Sequence, residues 1–141
     1  MIIDATNSIV GRIATVAAKQ ALLGEDIVIV NCEKAYITGG KKFITDDYLR
    51  KRKQGTWATG PFYHRQPDRL VRRIIRGMLP HKQEKGKSAF NRIMCYIGVP
   101  EEFKNQKAES IENALISKVP NLKYISIGEI SKSLGAKRTG E

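Results

Sequence analysis

The chain has 141 residues, 41% of them apolar, with a formal net charge of +11 and a pI near 9.8. That length suits one domain and can bury a core without disulfide or metal staples, while the charge puts polyanions first among partners, nucleic acid ahead of a membrane surface. The N-terminal MIIDATNS has neither the basic region nor the long apolar core of a signal peptide, and no apolar run approaches transmembrane length.

In chain order, Met1–Asp4 reads as a short buried strand. Asn7 suits a left-handed turn, Ser8 an N-cap, and Asp4 can cap the same turn. From Ile9, apolar residues three and four apart (Val10, Ile13, Ala14, Val16, Ala17, Ala21, Leu22) predict a helix that Gly24 closes. Gly11 inside it implies a close backbone approach, to a strand or to a ligand. Ile27–Val30, four β-branched residues in a row, predicts a strand covered on both faces, completing a strand–helix–strand unit. Ala35–Thr38 is a weaker strand, Gly39-Gly40 a turn, and Lys41–Gln54 a helix with Phe43, Ile44 and Leu49 inward. Gly55–Gln66 is an ordered loop, and Pro67 opens a helix that stops before Pro80. His81–Lys87 reads as a basic loop, with Ser88 capping a helix whose face is Phe90, Ile93, Met94 and Ile97, or whose end is extended at Cys95–Ile97. Glu109–Lys118 is expected helical, Tyr124–Ile127 a late strand, Glu129–Leu134 a final helical turn or two, and Lys137–Glu141 a frayed tail. Cys32 and Cys95 lie among apolar residues and in no CxxC, so they read as buried reduced thiols, consistent with an intracellular location.

The charge is not spread evenly. Arg50–Arg92 holds thirteen Lys or Arg against two acids, Asp68 and Glu84, so it carries +11 by itself, while the rest of the chain, twelve bases and twelve acids, is neutral. Within it, Pro67–Leu79 divides cleanly on a helical wheel of about 100° per residue. Leu70, Val71, Ile74, Ile75, Met78 and Leu79 fill one half, with Leu70, Ile74 and Met78 as the expected clamp; Arg69, Arg72, Arg73 and Arg76 fill the other. A solvated face normally mixes signs, because like charges three and four apart repel. Four arginines without an acid therefore point to phosphate contacts. Of the interleaved aromatics, Tyr63 and His64 beside Arg65 are the better stacking candidates; for Trp57 and Phe62, packing of the loop onto the domain fits equally well.

Other chemistry finds little support. There is no GxGxxG, and Gly39-Gly40-Lys41-Lys42 lacks the upstream Gly and the following Ser/Thr of a P-loop, so Lys41 and Lys42 read as additional phosphate contacts. Asp46 and Asp47 point apart on a helix, and His64 and His81 have no partner at metal-ligand spacing. No catalytic, cofactor or metal residue is assigned. A small nucleotide-dependent enzyme built on the βαβ unit and a DNA-binding protein with the arginine helix in a major groove are the competing readings. The absence of Asn and Gln from the arginine face argues against the latter.

Several stretches resemble a known family: Asp4-Ala5 with Gly11-Arg12-Ile13-Ala14, Ile27–Asn31 with Glu33-Lys34-Ala35, Thr38–Lys41, Gly60–Arg65, and above all Arg76-Gly77-Met78-Leu79-Pro80-His81-Lys82 followed by Gly86. In order and spacing they are similar to the universal large-subunit ribosomal protein numbered thirteen in bacteria, in its archaeal–eukaryotic form. The resemblance runs from residue 4 to about 98; one departure is Asn7, where many members carry Gly. It implies a three-layer α/β/α domain on a mostly parallel four-stranded sheet, occupying residues 1–141, with 50–92 as a basic helix–loop extension. It also implies a structural, non-enzymatic constituent of the cytoplasmic large subunit. The partners would be large-subunit ribosomal RNA and neighbouring ribosomal proteins, with no membrane or small-molecule substrate. The candidate RNA-binding residues are Lys41, Lys42, Arg50, Lys51, Arg52, Lys53, Tyr63, His64, Arg65, Arg69, Arg72, Arg73, Arg76, His81, Lys82, Lys85, Lys87 and Arg92.

Overall fold

The computed structural model describes residues 1–120 and 122–136; the expected tail at 137–141 lies outside them. Strand β1 (Ile2–Asp4), helix α1 (Val10–Leu23) and strand β2 (Ile27–Val30) form the expected strand–helix–strand unit. Its strands pair in parallel, Ile3 opposite Ile29. Strand β4 (Ile93–Cys95) adds to the other side of β2, Ile29 opposite Cys95, giving the order β1-β2-β4. Ile3, Ile27, Ile29, Ile93 and Cys95 are buried with Ile13, Ala14, Ala17 and Ala21 of α1. Of the apolar residues expected to define that helix, Val16 is half-buried and Leu22 exposed. The opposite face is not fully covered: Val28 is half-buried and Met94 exposed.

The molecule is α/β, as expected, but the single four-stranded sheet is not formed. Asn31 takes a left-handed conformation (φ 56°) and diverts the chain after β2 into a 3₁₀ turn, Cys32–Lys34. Strand β3 (Tyr36–Thr38) therefore leaves the parallel sheet and pairs antiparallel with β5 (Tyr124–Ser126) as a separate ribbon. At the outer edge of β1 a single bridge to Glu109 stands where a fourth strand would lie, through Asp4 N–H to Glu109 O (3.0 Å) and Glu109 N–H to Ile2 O (2.9 Å).

Several local expectations change for the same reason, that tertiary pairing outweighs local preference. The expected helix at Glu109–Lys118 is two 3₁₀ turns, Glu112–Ala114 and Ile116–Lys118. The backbone here bonds across to the start of α1 instead, Ile9 N–H to Ala114 O and Ile116 N–H to Asn7 O. Ser8 does not cap α1; its hydroxyl donates to Thr6 O, and Ile9 occupies the cap position without a side-chain bond. A Cβ on Gly11 would meet nothing within 4 Å, so no strand approaches that residue closely. Asp4 does organise its turn, accepting from Thr6 N–H (2.9 Å), Thr6 Oγ1 (2.7 Å) and Asn31 Nδ2 (3.0 Å). Burial opposes the ionised form of that carboxylate, but these hydrogen bonds and Lys34 outweigh it and hold its pKa below the usual range.

Helix α2 (Lys41–Lys53) buries Ile44 and half-buries Leu49, but Phe43 is 78% exposed rather than inward. Helix α3 spans Pro67–Met78 as expected. Helix α4 (Glu84–Asn91) begins inside the expected basic loop, with Gln83 rather than Ser88 at its cap, and ends before β4. Gly86 permits this early start: it is buried, and a Cβ there would run into the Pro80 carbonyl. Helix α5 (Ile127–Ser133) starts directly from β5 through a capping box, Glu129 N–H to Ser126 Oγ (3.1 Å) and Ser126 N–H to Glu129 Oε2 (3.4 Å). Cys32 and Cys95 are buried and unbridged. Hydrogen bonding to Cys95 and burial push the Cys32 thiol far above the usual range, which leaves it unreactive.

Candidate nucleic-acid interface

Helix α3 joins the body to the charge. Pro67 at its first turn is already in helical geometry, and Asp68 complements the positive end of the helix. Its buried side chains are Leu70, Val71 and Ile75, followed by Leu79. Of the clamp expected from the wheel, Leu70 holds, Ile74 is half-buried against the core, and Met78 is 44% exposed. The reason is position along the axis: Met78 lies in the last turn, where its sulfur accepts from Thr15 Oγ1 at 3.8 Å.

The four arginines of the opposite face divide into two pairs. Arg72 lies over the Phe90 ring (4.5 Å to its centre) and donates to Phe90 O at 3.5 Å. Arg73 lies over Tyr63 (3.8 Å) and donates to Phe62 O at 3.1 Å. Arg69 and Arg76 are exposed and have no hydrogen-bond or ion-pair partner among the described residues. One pair therefore ties α3 to its flanking segments, and the other is free to meet an anion.

Between α3, α4 and the C-terminal end of β4 lies a cleft of about 500 Å³. Its walls bring together His64, Arg69, Arg72, Arg73 and Arg76 with Phe90, Met94 and Tyr96. Asp68 Oδ1 and Arg72 Nε are buried beside it without a partner. Of the parallel strands, only β4 reaches the cleft, through Met94, Cys95 and the following Tyr96. An anionic, partly planar ligand fits this lining: arginines for phosphate, aromatic and thioether surfaces for a ring.

Apart from His64, the other candidate residues do not line this cleft. At the end of α2, Asp47 accepts from Arg50 Nη2 (2.7 Å) and Lys51 Nζ (2.5 Å). The bond to Lys51, then that to Arg50, lowers the Asp47 pKa, and the same bond raises that of Lys51. Arg52 donates to Leu134 O, and Arg65 to Gly135 O at 3.3 Å. Ser131 Oγ donates to Arg65 O at 2.6 Å, so the C-terminal helix pins the chain on both sides of the 54–64 loop. Arg92 donates to Ala21 O (3.4 Å), and Lys41 pairs with Glu129 (3.7 Å). Lys42, Lys53, Lys82, Lys85 and Lys87 are exposed without partners among the described residues, and His81 is exposed with its ring 3.4 Å from Leu79 O. Lys41 and Lys42 do not reach the α3 cleft; they line a separate groove with Phe43, Leu122 and Tyr124.

The aromatics are arranged differently from the sequence reading. Tyr63 is covered by Arg73, whereas Trp57 is 93% and Phe62 65% exposed. Phe90 and Met94, read from their spacing as one inward helix face, lie on either side of the α4–β4 break and line the cleft. Trp57 was legible only as an aromatic in a basic loop, since nothing in its spacing distinguishes a covered ring from a bare one.

The description "Ribosomal protein L13" belongs to a family model that matches residues 1–102. Among similar curated proteins, one from Methanopyrus kandleri is 44% identical over 141 residues, covering 99% of this chain and 89% of its own. One from Archaeoglobus fulgidus is 43% identical over 135 residues, covering 95% and 86%. One from Methanococcus maripaludis is 43% identical over 141 residues, covering 97% and 98%. Each of these is named large ribosomal subunit protein uL13.

Proposed function

Because the chain belongs to the ribosomal protein L13 family, we propose that it is a structural constituent of the large ribosomal subunit that binds ribosomal RNA through its basic segment. It is not an enzyme. The observation that carries the RNA-binding reading is the construction of α3: Leu70, Val71 and Ile75 buried on one side, Arg69 and Arg76 bare on the other, beside a cleft lined with arginine and aromatic side chains. Residues 1–141 act as one unit, with 50–92 facing RNA.

Within that segment, Arg69, Arg76, Lys53, Lys82, Lys85 and Lys87 supply the direct phosphate contacts, and Lys42 extends them along α2. Arg50, Lys51, Arg52, Arg65, Arg72, Arg73 and Arg92 already have partners in the chain; they hold the segment in place while adding to its field. Tyr63, His64, His81 and Lys41 border the contact, and neighbouring ribosomal proteins meet other surfaces of the cytoplasmic particle. Counterion release drives such an interface, so affinity falls steeply as salt rises. The test is sedimentation of tagged protein with large ribosomal subunits. It is expected to co-sediment at low salt and leave only in concentrated salt; a protein that stays at the top of the gradient at every salt concentration refutes the assignment.

A further inference from the structure

The most exposed large hydrophobic side chain among the described residues is also the only tryptophan of the chain, Trp57. It stands on a closed turn. Gly60 N–H donates to Thr56 O (3.0 Å), Thr59 N–H to Thr56 Oγ1 (3.3 Å), and the Thr56 and Thr59 hydroxyls are 2.6 Å apart. Gly55 (φ 77°) lies so close beneath the Gly60 carbonyl that a Cβ there would overlap it. Gly60 (φ 76°) in turn rests against the Phe62 ring, 3.0 Å from where its own Cβ would be. Five consecutive residues are thus fixed by their own hydrogen bonds, and the largest apolar side chain of the segment points away from all of them.

Leaving an indole bare in water forgoes the stabilisation its burial would bring. Its surroundings favour one occupant. The turn directly follows Arg50-Lys51-Arg52-Lys53, and no acid occurs from Tyr48 to Pro67, a stretch that also contains His64 and Arg65. An aromatic ring on a fixed turn, set in unrelieved positive charge, has the chemistry of a stacking platform for an unpaired nucleobase, whose phosphates the adjacent cations hold. A base inside a duplex offers no free face to the ring, because its neighbours in the stack cover both.

We infer that Trp57 stacks on an unpaired base of the RNA that the basic segment holds, so that the Thr56–Gly60 turn is a second contact point, independent of the α3 arginines. This rests on the RNA-binding reading above, and the two are separable because stacking is largely insensitive to salt whereas phosphate contacts are not.

The single tryptophan makes the test direct. In the intact protein, indole emission is followed while a short unstructured oligoribonucleotide, or an RNA duplex of the same length, is added at low salt. Strong quenching by the single strand and little by the duplex is expected. Affinity for a large-subunit ribosomal RNA transcript is then measured across a salt series for Trp57→Ala, Trp57→Leu and Trp57→Phe, with Arg69→Gln/Arg76→Gln in parallel. Trp57→Ala is expected to lose about 5- to 150-fold at every salt concentration without changing the salt slope. Trp57→Leu should lose as much and Trp57→Phe distinctly less. Since the side chain is bare, melting temperature should not move. Full affinity in Trp57→Ala, or full retention by Trp57→Leu, overturns the stacking assignment while a lowered slope in the arginine variant leaves RNA binding standing. Indole emission that responds to whole subunits but not to the large-subunit ribosomal RNA transcript overturns it in favour of a protein neighbour.

Discussion

The division of the α3 arginines predicts two different phenotypes from substitutions that look alike in sequence. Arg69→Gln with Arg76→Gln removes two bare guanidiniums; Arg72→Gln with Arg73→Gln removes two that lie over rings and donate to carbonyls. If each bare arginine meets one phosphate, the first pair lowers the slope of log affinity against log salt by about 1.4 to 1.8, taking roughly 0.7 to 0.9 per contact. Over a fourfold rise in salt the variant then loses about 7- to 12-fold less affinity than the parent. Its melting temperature should stay put, because neither side chain holds anything. The second pair loses two ring contacts of about 0.5–1 kcal/mol each at part-exposed positions, roughly 1–2 kcal/mol together. With an unfolding entropy of about 0.3 kcal/mol/K for this length, that is a fall of roughly 3–7 °C, with a slope change under one unit. Filter retention of a ribosomal RNA transcript across a salt series gives the slope, and circular dichroism gives the melt. Equal slopes and equal melting temperatures for the two variants would refute the division; an unchanged slope in the Arg69/Arg76 variant would remove α3 from the interface.

Three further outcomes follow from the packing. Ile75→Ala, at a residue with no exposed surface, should cost about 2–5 kcal/mol by denaturant titration, whereas Met78→Ala should cost well under 1 kcal/mol; comparable losses would contradict the placement of the helix. Gly86→Ala forces α4 away from the Pro80 carbonyl and should destabilise by roughly 1–3 kcal/mol, although alanine ordinarily favours a helix; a gain in stability would disprove that contact. Asp4 has a folded-state pKa below its ordinary 3.8, so its contribution is complete above that value and disappears as pH falls through the lower folded value. Denaturation midpoints taken from neutral pH down to about 3 should fall more steeply for the parent than for Asp4→Asn, and parallel curves would show that the Thr6 and Asn31 bonds contribute nothing.

The parts of this fold that were legible in sequence are those set locally. The periodicity of α1, the β-branched run of β2 and the proline that opens α3 each specify an element with little help from elsewhere. The arginine face was legible too, because composition on a helical wheel needs no partner. What could not be read depends on residues far apart in the chain: β3 turning away at Asn31 to meet β5, residues 111–118 giving up a helix to bond with Asn7 and Ile9, and Gly86 passing under Pro80. The aromatics failed for a related reason. Whether Tyr63 faces solvent is decided by where Arg73 arrives, and only the assembled structure contains that.

The returns of the C-terminal region to the start of the chain also impose an order on events during synthesis. Glu109 completes the outer edge of β1, Tyr124–Ser126 completes the ribbon begun at Tyr36, and Ser131 to Gly135 fasten the chain at Arg52 and Arg65. A nascent chain that has emerged only as far as Met78 already contains every arginine of α3, but it lacks every one of these fastenings. Such long-range closures form late, because the intervening loop must be brought together first. The protein therefore acquires its charge before it acquires the rigidity to aim that charge, and a shaped grip on RNA belongs to the completed chain.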